Sequence, residues 1–381
     1  MITTHEDLLD LCSQIESLTS VALDTEFDSG RHPVTVLSVV QVGLDNKETI
    51  LIDALALKDL SALKPVLEHE GIVKIMHDAR QDLWLISNAS SATPKNIFDV
   101  RLAARLLGMG TYYSLPELVQ TFLGIRLSKS QQRSNWLHRP LSAAQISYAK
   151  KDVLYLHRIR EILLSEAKKT ERSTWIKEEM NSFNDPKSYT PLSSAEKILN
   201  SQATYLFEPA QRAAITMIAD WREHTSQATG LLPKNLLTDG QIIRLAKNRC
   251  TKPKAVRKNC SALPQRYGLE VANLMAEALN TPEHECPAPL APRPVSGTEF
   301  SQVQLLHAII TSRAIEIGIQ SELLGTNSSL TDLVQNPGNS NHPLRKGWRW
   351  DVVGQDLFDV MRGNSVVELQ DGRLKVRSLL R

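Results

Sequence analysis

Three apolar runs near the start of the chain constrain its fold more than any other feature. VALDTEF (Val21 to Phe27), TVLSVVQVGL (Thr35 to Leu44) and TILIDAL (Thr49 to Leu55) are rich in Val, Ile and Leu, and turn-like residues separate them. Short runs of this kind between turn signals read as successive strands, expected here to be antiparallel. A helix over Leu60 to Glu68, a strand in IVKIMH, a helix beginning near Ala79 and a strand at IFDV (Ile97 to Val100) follow. Beyond Arg101 the pattern is helical and ends in one long helix from Leu141 to Lys169. Its start carries Ser142 and Gln145, the capping-box spacing that satisfies free amides at a helix N-terminus. Strands followed by helices in one mixed sheet make an α/β layered domain.

At 381 residues the chain has room for two or three domains. SFNDPKSYTPLSS (Ser182 to Ser194) is loop chemistry, and residues 203 to 279 are helical with Arg/Lys-rich turns. TPEHECPAPLAPRPVSGT (Thr281 to Thr298) holds Pro282, Pro287, Pro289, Pro292 and Pro294, a density that sustains neither helix nor sheet and reads as a stiff linker. Glu299 to Met361 is again helical, and SVVELQDGRLKVRSL alternates around Asp371-Gly372, a hairpin signal. The expected division is therefore 1–195, 203–281, a Pro-rich linker 282–298, and 299–381.

Net charge is only +2, so any polyanion must be met by local basic clusters. The start MITTHEDLLDLCSQ has neither the basic residues nor the apolar run of a signal peptide, and no stretch approaches the roughly 18–20 apolar residues of a membrane span. Cys12, Cys250, Cys260 and Cys286 show no metal-ligand spacing. Free thiols in a reducing cytoplasm are expected.

Carboxylates carry the chemistry. Asp24 and Glu26 stand at i and i+2 on a strand and project from one face. Taken alone, such a pair is more often a solvated edge than a site. In HDARQDL (His77 to Leu83), Asp82 follows Asp78 by one helical turn; acids here also complement a helix dipole, which accounts for Asp78 better than for Asp82. Tyr148 and Asp152 stack at i and i+4 on the late helix, a spacing equally open to a packing tyrosine and an exposed aspartate.

In combination and in this order, DTE on a strand, HxAxxD at a strand–helix junction and YxxxD on a late helix resemble the exonuclease motifs of the DEDD superfamily, tyrosine subtype. IFDV, LDNKETILIDAL and LSKSQQRSNWLHRPLSAAQISYAKKDV are similar to the ribonuclease D family, and the likeness is close from about Val21 to Lys168. The resemblance implies an α/β ribonuclease-H-like exonuclease domain, a mixed sheet with flanking helices, followed by two small all-α HRDC-like domains. It implies a metal-dependent 3′→5′ exoribonuclease that trims RNA to 5′-monophosphates, with transfer-RNA precursors and other small structured RNAs as substrates and the chain acting as a monomer.

By the same resemblance, Asp24, Glu26 and Asp152 hold the cation that activates water, and Asp24 bridges to a second, supported by Asp82. Tyr148 positions the attacking water, and His77 is structural rather than a ligand. Two Mg²⁺ or Mn²⁺ ions are implied; hard cations prefer carboxylate oxygen, and a pair about 3.5–4 Å apart can clamp both the attacking and the leaving oxygen.

From Glu117 to Asp152 no acid intervenes, while Arg126, Lys129, Arg133 and Arg139 stand with Trp136 and His138. A basic stretch leading to Tyr148 suits phosphate tracking, and a solvated basic face is the plain alternative. Between Lys234 and Lys258 eight basic residues, among them Lys234, Arg244, Lys247 and Arg249, meet Asp239 alone. IADWREHTSQATGLLPKNLLTDGQIIRLAKNR resembles the HRDC domain, which implies phosphate contact without base reading. FSQVQLLHAIITSRAIEIGIQSELLGTNSSLTDLV and GWRWDVVGQDLFDVM are similar to a second such domain. The competing readings are an exonuclease on DNA, which uses the same carboxylates, and a non-catalytic RNA-binding protein, which would normally have lost a metal ligand.

Overall fold

The computed structural model describes residues 1–45, 47–109, 114–290 and 292–379. A five-stranded sheet in the order β3-β2-β1-β4-β5 anchors the N-terminal region, with β1 Ser20–Asp28, β2 Val36–Gly43, β3 Thr49–Asp53, β4 Val73–Met76 and β5 Ile97–Asp99. β2 and β3 are antiparallel, with Gln41 opposite Leu51; β1 and β4 are parallel, as are β4 and β5. The sheet is thus mixed, as expected. The short connection from β1 to β2 leaves no room for a parallel crossover, so these neighbours run antiparallel.

Helices Arg80–Ser90, Val100–Leu106, Ala143–Leu154 and Leu156–Lys169 flank the sheet, and Leu8, Val21, Val40, Ile75, Leu83, Val153 and Leu163 are among its fully enclosed core residues. The predicted capping box forms, with Gln145 N donating to Ser142 Oγ and Ser142 N donating to Gln145 Oε1. The long helix expected from Leu141 to Lys169 is instead two. At Tyr155 the backbone leaves helical geometry (φ −104°, ψ −5°), and the next turn is tied to the sheet by His157, which bridges Ser20 Oγ and Gly43 O.

Two compact units emerge. The first comprises Met1–Phe27, Leu37–Thr190 and Val295–Arg381; the second comprises Asp28–Val36 and Pro191–Pro294. In the first, the C-terminal segment shares a continuous apolar core with the α/β region, through Ile309, Ile310, Leu330, Trp348 and Leu357. Trp348 stacks on Trp175 at 4.8 Å, its indole Nε1 donates to Glu179 at 2.8 Å, and Gln320 Oε1 accepts from Arg105 Nε and Nη2. This segment is not all-α, contrary to expectation. It ends in the antiparallel hairpin β6 Ser365–Gln370 and β7 Arg373–Ser378. Asp371 and Gly372 both take positive φ (52° and 74°), the twist a two-residue hairpin turn requires.

The second unit is helical, built on Pro209–Thr229, Asp239–Lys247, Pro253–Asn259 and Gly268–Leu279 around Ile215, Ile218, Leu245, Val271 and Met275. Arg222 is buried there, donating to Leu237 O and Asp239 Oδ1, each at 2.8 Å. Residues 286–290 and 292–296 of the proline-rich stretch adopt no regular structure. All four cysteines are free thiols, and among the described residues no helix is long and apolar enough to cross a membrane.

Candidate active site

β1 carries Asp24 and Glu26 toward the face of the sheet covered by the Ala143–Leu154 helix. Gly43 reveals how tightly the helix sits: a Cβ there would lie 3.0 Å from Val153 O and 3.2 Å from the Ala22 Cβ. Ala22, Asp24 and Glu26 alternate onto that same face, and Tyr148 and Asp152 descend onto it from the helix. Val39, Leu51, Trp136, Leu141 and Ala149 form the apolar layer beneath, with Tyr148 packed against it.

Asp82 reaches the region from the first turn of the Arg80–Ser90 helix, and its buried carboxylate accepts from the Thr25 hydroxyl. The junction leading into this helix is held by Asp99, which is almost fully buried. Its carboxylate accepts from Asp78 N at 3.1 Å and Ala79 N at 3.0 Å, and also caps the following helix through Arg101 N and Leu102 N. Asp78 itself takes left-handed backbone geometry (φ 60°), uncommon for a residue with a side chain, and its exposed carboxylate pairs with Arg101. One helical turn in sequence therefore separates two different fates: Asp78 points away and Asp82 points in. His77 is half-buried.

The carboxylates share one electrostatic environment. Burial pushes the Asp24 pKa well above the ordinary value, and the charges of Asp82, Asp152 and Glu26 push it further. Glu26 is raised to about 9 by burial, then by Asp152 and Asp82. Asp152 is raised to about 7 by burial, and so is Asp82, with Asp78 and Asp99 adding repulsion and the Thr25 hydroxyl opposing it. The Tyr148 phenol is raised by burial and by Asp152, Glu26 and Asp24, so it remains a protonated donor at neutral pH.

Among the described residues, no three or more His, Cys, Asp or Glu side chains are drawn together closely enough to hold a metal ion as they stand. The donor chemistry nonetheless fits a hard divalent cation: every charged group is a carboxylate, and burial with mutual repulsion is the strain that a dication relieves. Gln41 supports the same fit. It is fully enclosed, and neither its amide nitrogen nor its amide oxygen has a hydrogen-bond partner.

The residues expected to touch RNA divide. Arg126, Lys129, Arg133 and His138 are exposed. Trp136 is not available: it is 2% exposed and packs on Tyr148, with ring centroids 6.1 Å apart. Arg139 is also turned inward, its guanidinium gripping Asp53 and donating to Trp136 O and Ser38 O. Both are structural, because enclosing Tyr148 requires an apolar floor and a fixed approach to its helix. In the second unit Lys234, Arg244 and Lys247 are exposed, whereas Arg249 pairs with Glu208.

Sequence reasoning missed Thr25, Gln41, Gly43 and Asp99. A signal existed for two of them: Gln41 interrupts the apolar run VVQVG, and Asp99 stands where a strand gives way to a helix.

Residues 1–168 match the 3′–5′ exonuclease family. The chain is 33% identical over 367 residues to ribonuclease D of Desulfotalea psychrophila, spanning 95% of this chain and 98% of that protein. It is 29% identical to ribonuclease D of Jannaschia sp., spanning 98% of each. Its fold is similar to the crystal structure of Escherichia coli RNase D, with a TM-score of 0.83 at 24% identity over 95% of this chain and 98% of that one.

Proposed function

The chain belongs to the ribonuclease D family and is a 3′→5′ exoribonuclease, and from that premise we propose that it removes single nucleotides from RNA 3′ ends at the site formed by Asp24, Glu26, Asp82, Tyr148 and Asp152. One feature carries this reading: Asp24 and Glu26 on β1 are raised in pKa by burial first and then by the charges of Asp82 and Asp152, which come from the Arg80–Ser90 and Ala143–Leu154 helices, beside a tyrosine that stays protonated.

Asp24, Glu26 and Asp152 would hold one divalent cation, and Asp24 with Asp82 a second, Mg²⁺ or Mn²⁺. Bound there, the cations lower the pKa of water and offset charge on the attacking and leaving oxygens. The chain supplies the rest. Tyr148 keeps its proton and donates a hydrogen bond from its phenolic O–H to the attacking water, setting its line of approach to phosphorus. Burial of the phenol, raising its pKa, keeps that donor in place across the neutral range. Water attacks phosphorus and the bond to the 3′ oxygen breaks; a 5′-mononucleotide leaves carrying the water's oxygen, and of the water's two protons one is released to solvent and one ends on the 3′ hydroxyl of the shortened RNA. Thr25 fixes Asp82, and Asp99 fixes the turn that delivers it.

Transfer-RNA precursors and other small structured RNAs in the cytoplasm are the proposed substrates. Arg126, Lys129, Arg133 and His138 would meet the strand entering the site. Lys234, Arg244, Lys247 and Arg249 would meet other phosphates of the RNA, with residues 203–281 as an HRDC module and 299–381 as a second, hairpin-ended one; a monomer suffices. The deciding experiment offers 3′-tailed RNA and DNA oligonucleotides with Mg²⁺ or Mn²⁺. One-nucleotide laddering from the 3′ end of RNA, releasing 5′-monophosphates, is expected. Endonucleolytic products, or laddering equally fast with chelator present, would overturn the mechanism.

A further inference from the structure

Gln41 is the polar side chain on β2 that the site as described does not use. It is 0% exposed, and both amide atoms lack a partner. Burying an amide without hydrogen bonds costs free energy, so a glutamine retained in such a place needs an explanation that an apolar residue could not serve.

Its position supplies one. A Cβ on Gly43 would stand 3.2 Å from the Ala22 Cβ, which sets these two residues opposite each other on β2 and β1. Along antiparallel strands each step forward on one is a step back on the other. Two residues on, Gln41 therefore faces Asp24, and Val39 faces Glu26. Directly opposed side chains in an antiparallel pair have Cβ atoms about 4.5–5.5 Å apart. Gln41 also shares its face with Val39, which lies in the layer beneath Tyr148 and Ala149. On its other side it is paired with Leu51, which offers no polar atom from its side chain.

We infer that Gln41 is a positioning residue for the cation-binding centre, acting through Asp24: its amide Nε2, unpaired as it stands, is placed to donate to the Asp24 carboxylate when a cation is held, and so to set which oxygens that carboxylate turns toward the cation. The inference rests on the cation-binding reading above and extends it by one residue. Groups that orient metal ligands are hydrogen-bonded to them, and their loss typically weakens metal binding about 10–100-fold. A neutral amide suits the role beside four carboxylates, because it adds a donor without adding a charge.

The test titrates Mn²⁺ alone into the metal-free full-length protein by calorimetry, comparing wild type with Gln41→Met, Gln41→Leu and Asp24→Asn. Wild type is expected to bind Mn²⁺ and Asp24→Asn to lose that binding. The two Gln41 variants should bind roughly 10–100-fold more weakly while their metal-free Tm stays equal to or above wild type, since an unpartnered amide has been removed. Their kcat on an RNA oligonucleotide should fall at low Mn²⁺ and recover at high Mn²⁺, with KM for RNA unchanged. Wild-type Mn²⁺ affinity in both variants would overturn the inference, and so would a fall in metal-free Tm accompanied by activity that excess Mn²⁺ does not restore. If wild type itself takes up no Mn²⁺ that depends on Asp24, the cation-binding reading fails first and this one with it.

Discussion

Arg139 grips Asp53 with two parallel hydrogen bonds, Nε to Oδ2 at 2.7 Å and Nη2 to Oδ1 at 2.8 Å, binding the segment that precedes the Tyr148 helix to the end of β3. Burial opposes ionisation of Asp53, but the hydrogen bond from Arg139 and the amides of Ala56 and Leu55 outweigh it and hold its pKa below the usual carboxylate value. Arg139→Ala leaves a buried carboxylate without its cation and should cost about 3 kcal/mol in urea unfolding. Lysine, lacking the fork, should restore only part. Because this carboxyl is depressed, its contribution is present above the unfolded pKa of about 3.9 and is lost as the pH falls through the lower folded value. KM for RNA should not change.

Replacing any one of Asp24, Glu26 or Asp152 by alanine should abolish hydrolysis, a loss of at least about 10³-fold, on the scale seen when a principal charge-stabilising group is removed. Tyr148→Phe keeps the ring in its apolar seat and removes only the donor, so a smaller loss of about 10²-fold is expected. Single-turnover rates on a 3′-tailed RNA measure both.

The metal-free protein should lose stability as the pH rises. Glu26, Asp82 and Asp152 have folded pKa values raised to about 9, 7 and 7, against roughly 4 in an unfolded chain. The native state therefore holds more protons than the unfolded state from about pH 4 upward, and the stability those protonated groups provide drains away as the pH climbs through the folded values. Calorimetric melts should show Tm falling between about pH 5 and 9, and saturating Mg²⁺ should flatten the slope.

Gly43→Ala tests how closely the Ala143–Leu154 helix must approach. The added methyl would meet Val153 O at 3.0 Å and Val153 Cβ at 3.1 Å, contacts that only a shift of the helix can relieve. Overpacking of this kind costs about 1–3 kcal/mol. It should also lower kcat, since Asp152 is the residue before Val153 and moves with it.

Salt dependence separates the basic surface from the chemistry. Single-stranded RNA releases counterions with a slope of about 0.7 per phosphate contacted. Replacing Lys234, Arg244 and Lys247 together should therefore flatten the plot of log affinity against log salt by about 2, with kcat on short oligonucleotides unchanged. Arg249→Ala should do less, because Arg249 already pairs with Glu208.

Much of this architecture was legible because local periodicity and turn chemistry agreed. The alternation in VALDTEF places Asp24 and Glu26 on one face, and Asp371-Gly372 announces its hairpin. The misreadings share a cause. Nothing local distinguishes an arginine turned inward from one turned outward, and Arg139 turns inward only because Asp53 and Ser38 arrive from distant strands. Trp136 is basic-flanked in sequence yet buried in space for the same reason. The break at Tyr155 was invisible because apolar periodicity continues across it while His157, reaching Ser20 and Gly43, redirects the chain. Gln41 needed the sheet register before it could mean anything.

Because the first unit takes in both ends of the chain, residues 28–36 and 191–294 each leave it and return to it. In the order of the polypeptide the helical stretch 191–294 is an insertion rather than an appendage. Cutting after Thr190 should yield a destabilised fragment, because it strips away the partners of Trp175, Glu179 and Arg105 and lays bare apolar surface that the C-terminal segment covers. Exchanging 191–294 for a segment of chosen RNA preference, with both junctions kept and residues 28–36 adjusted to match, is the gentler route to a nuclease of altered preference.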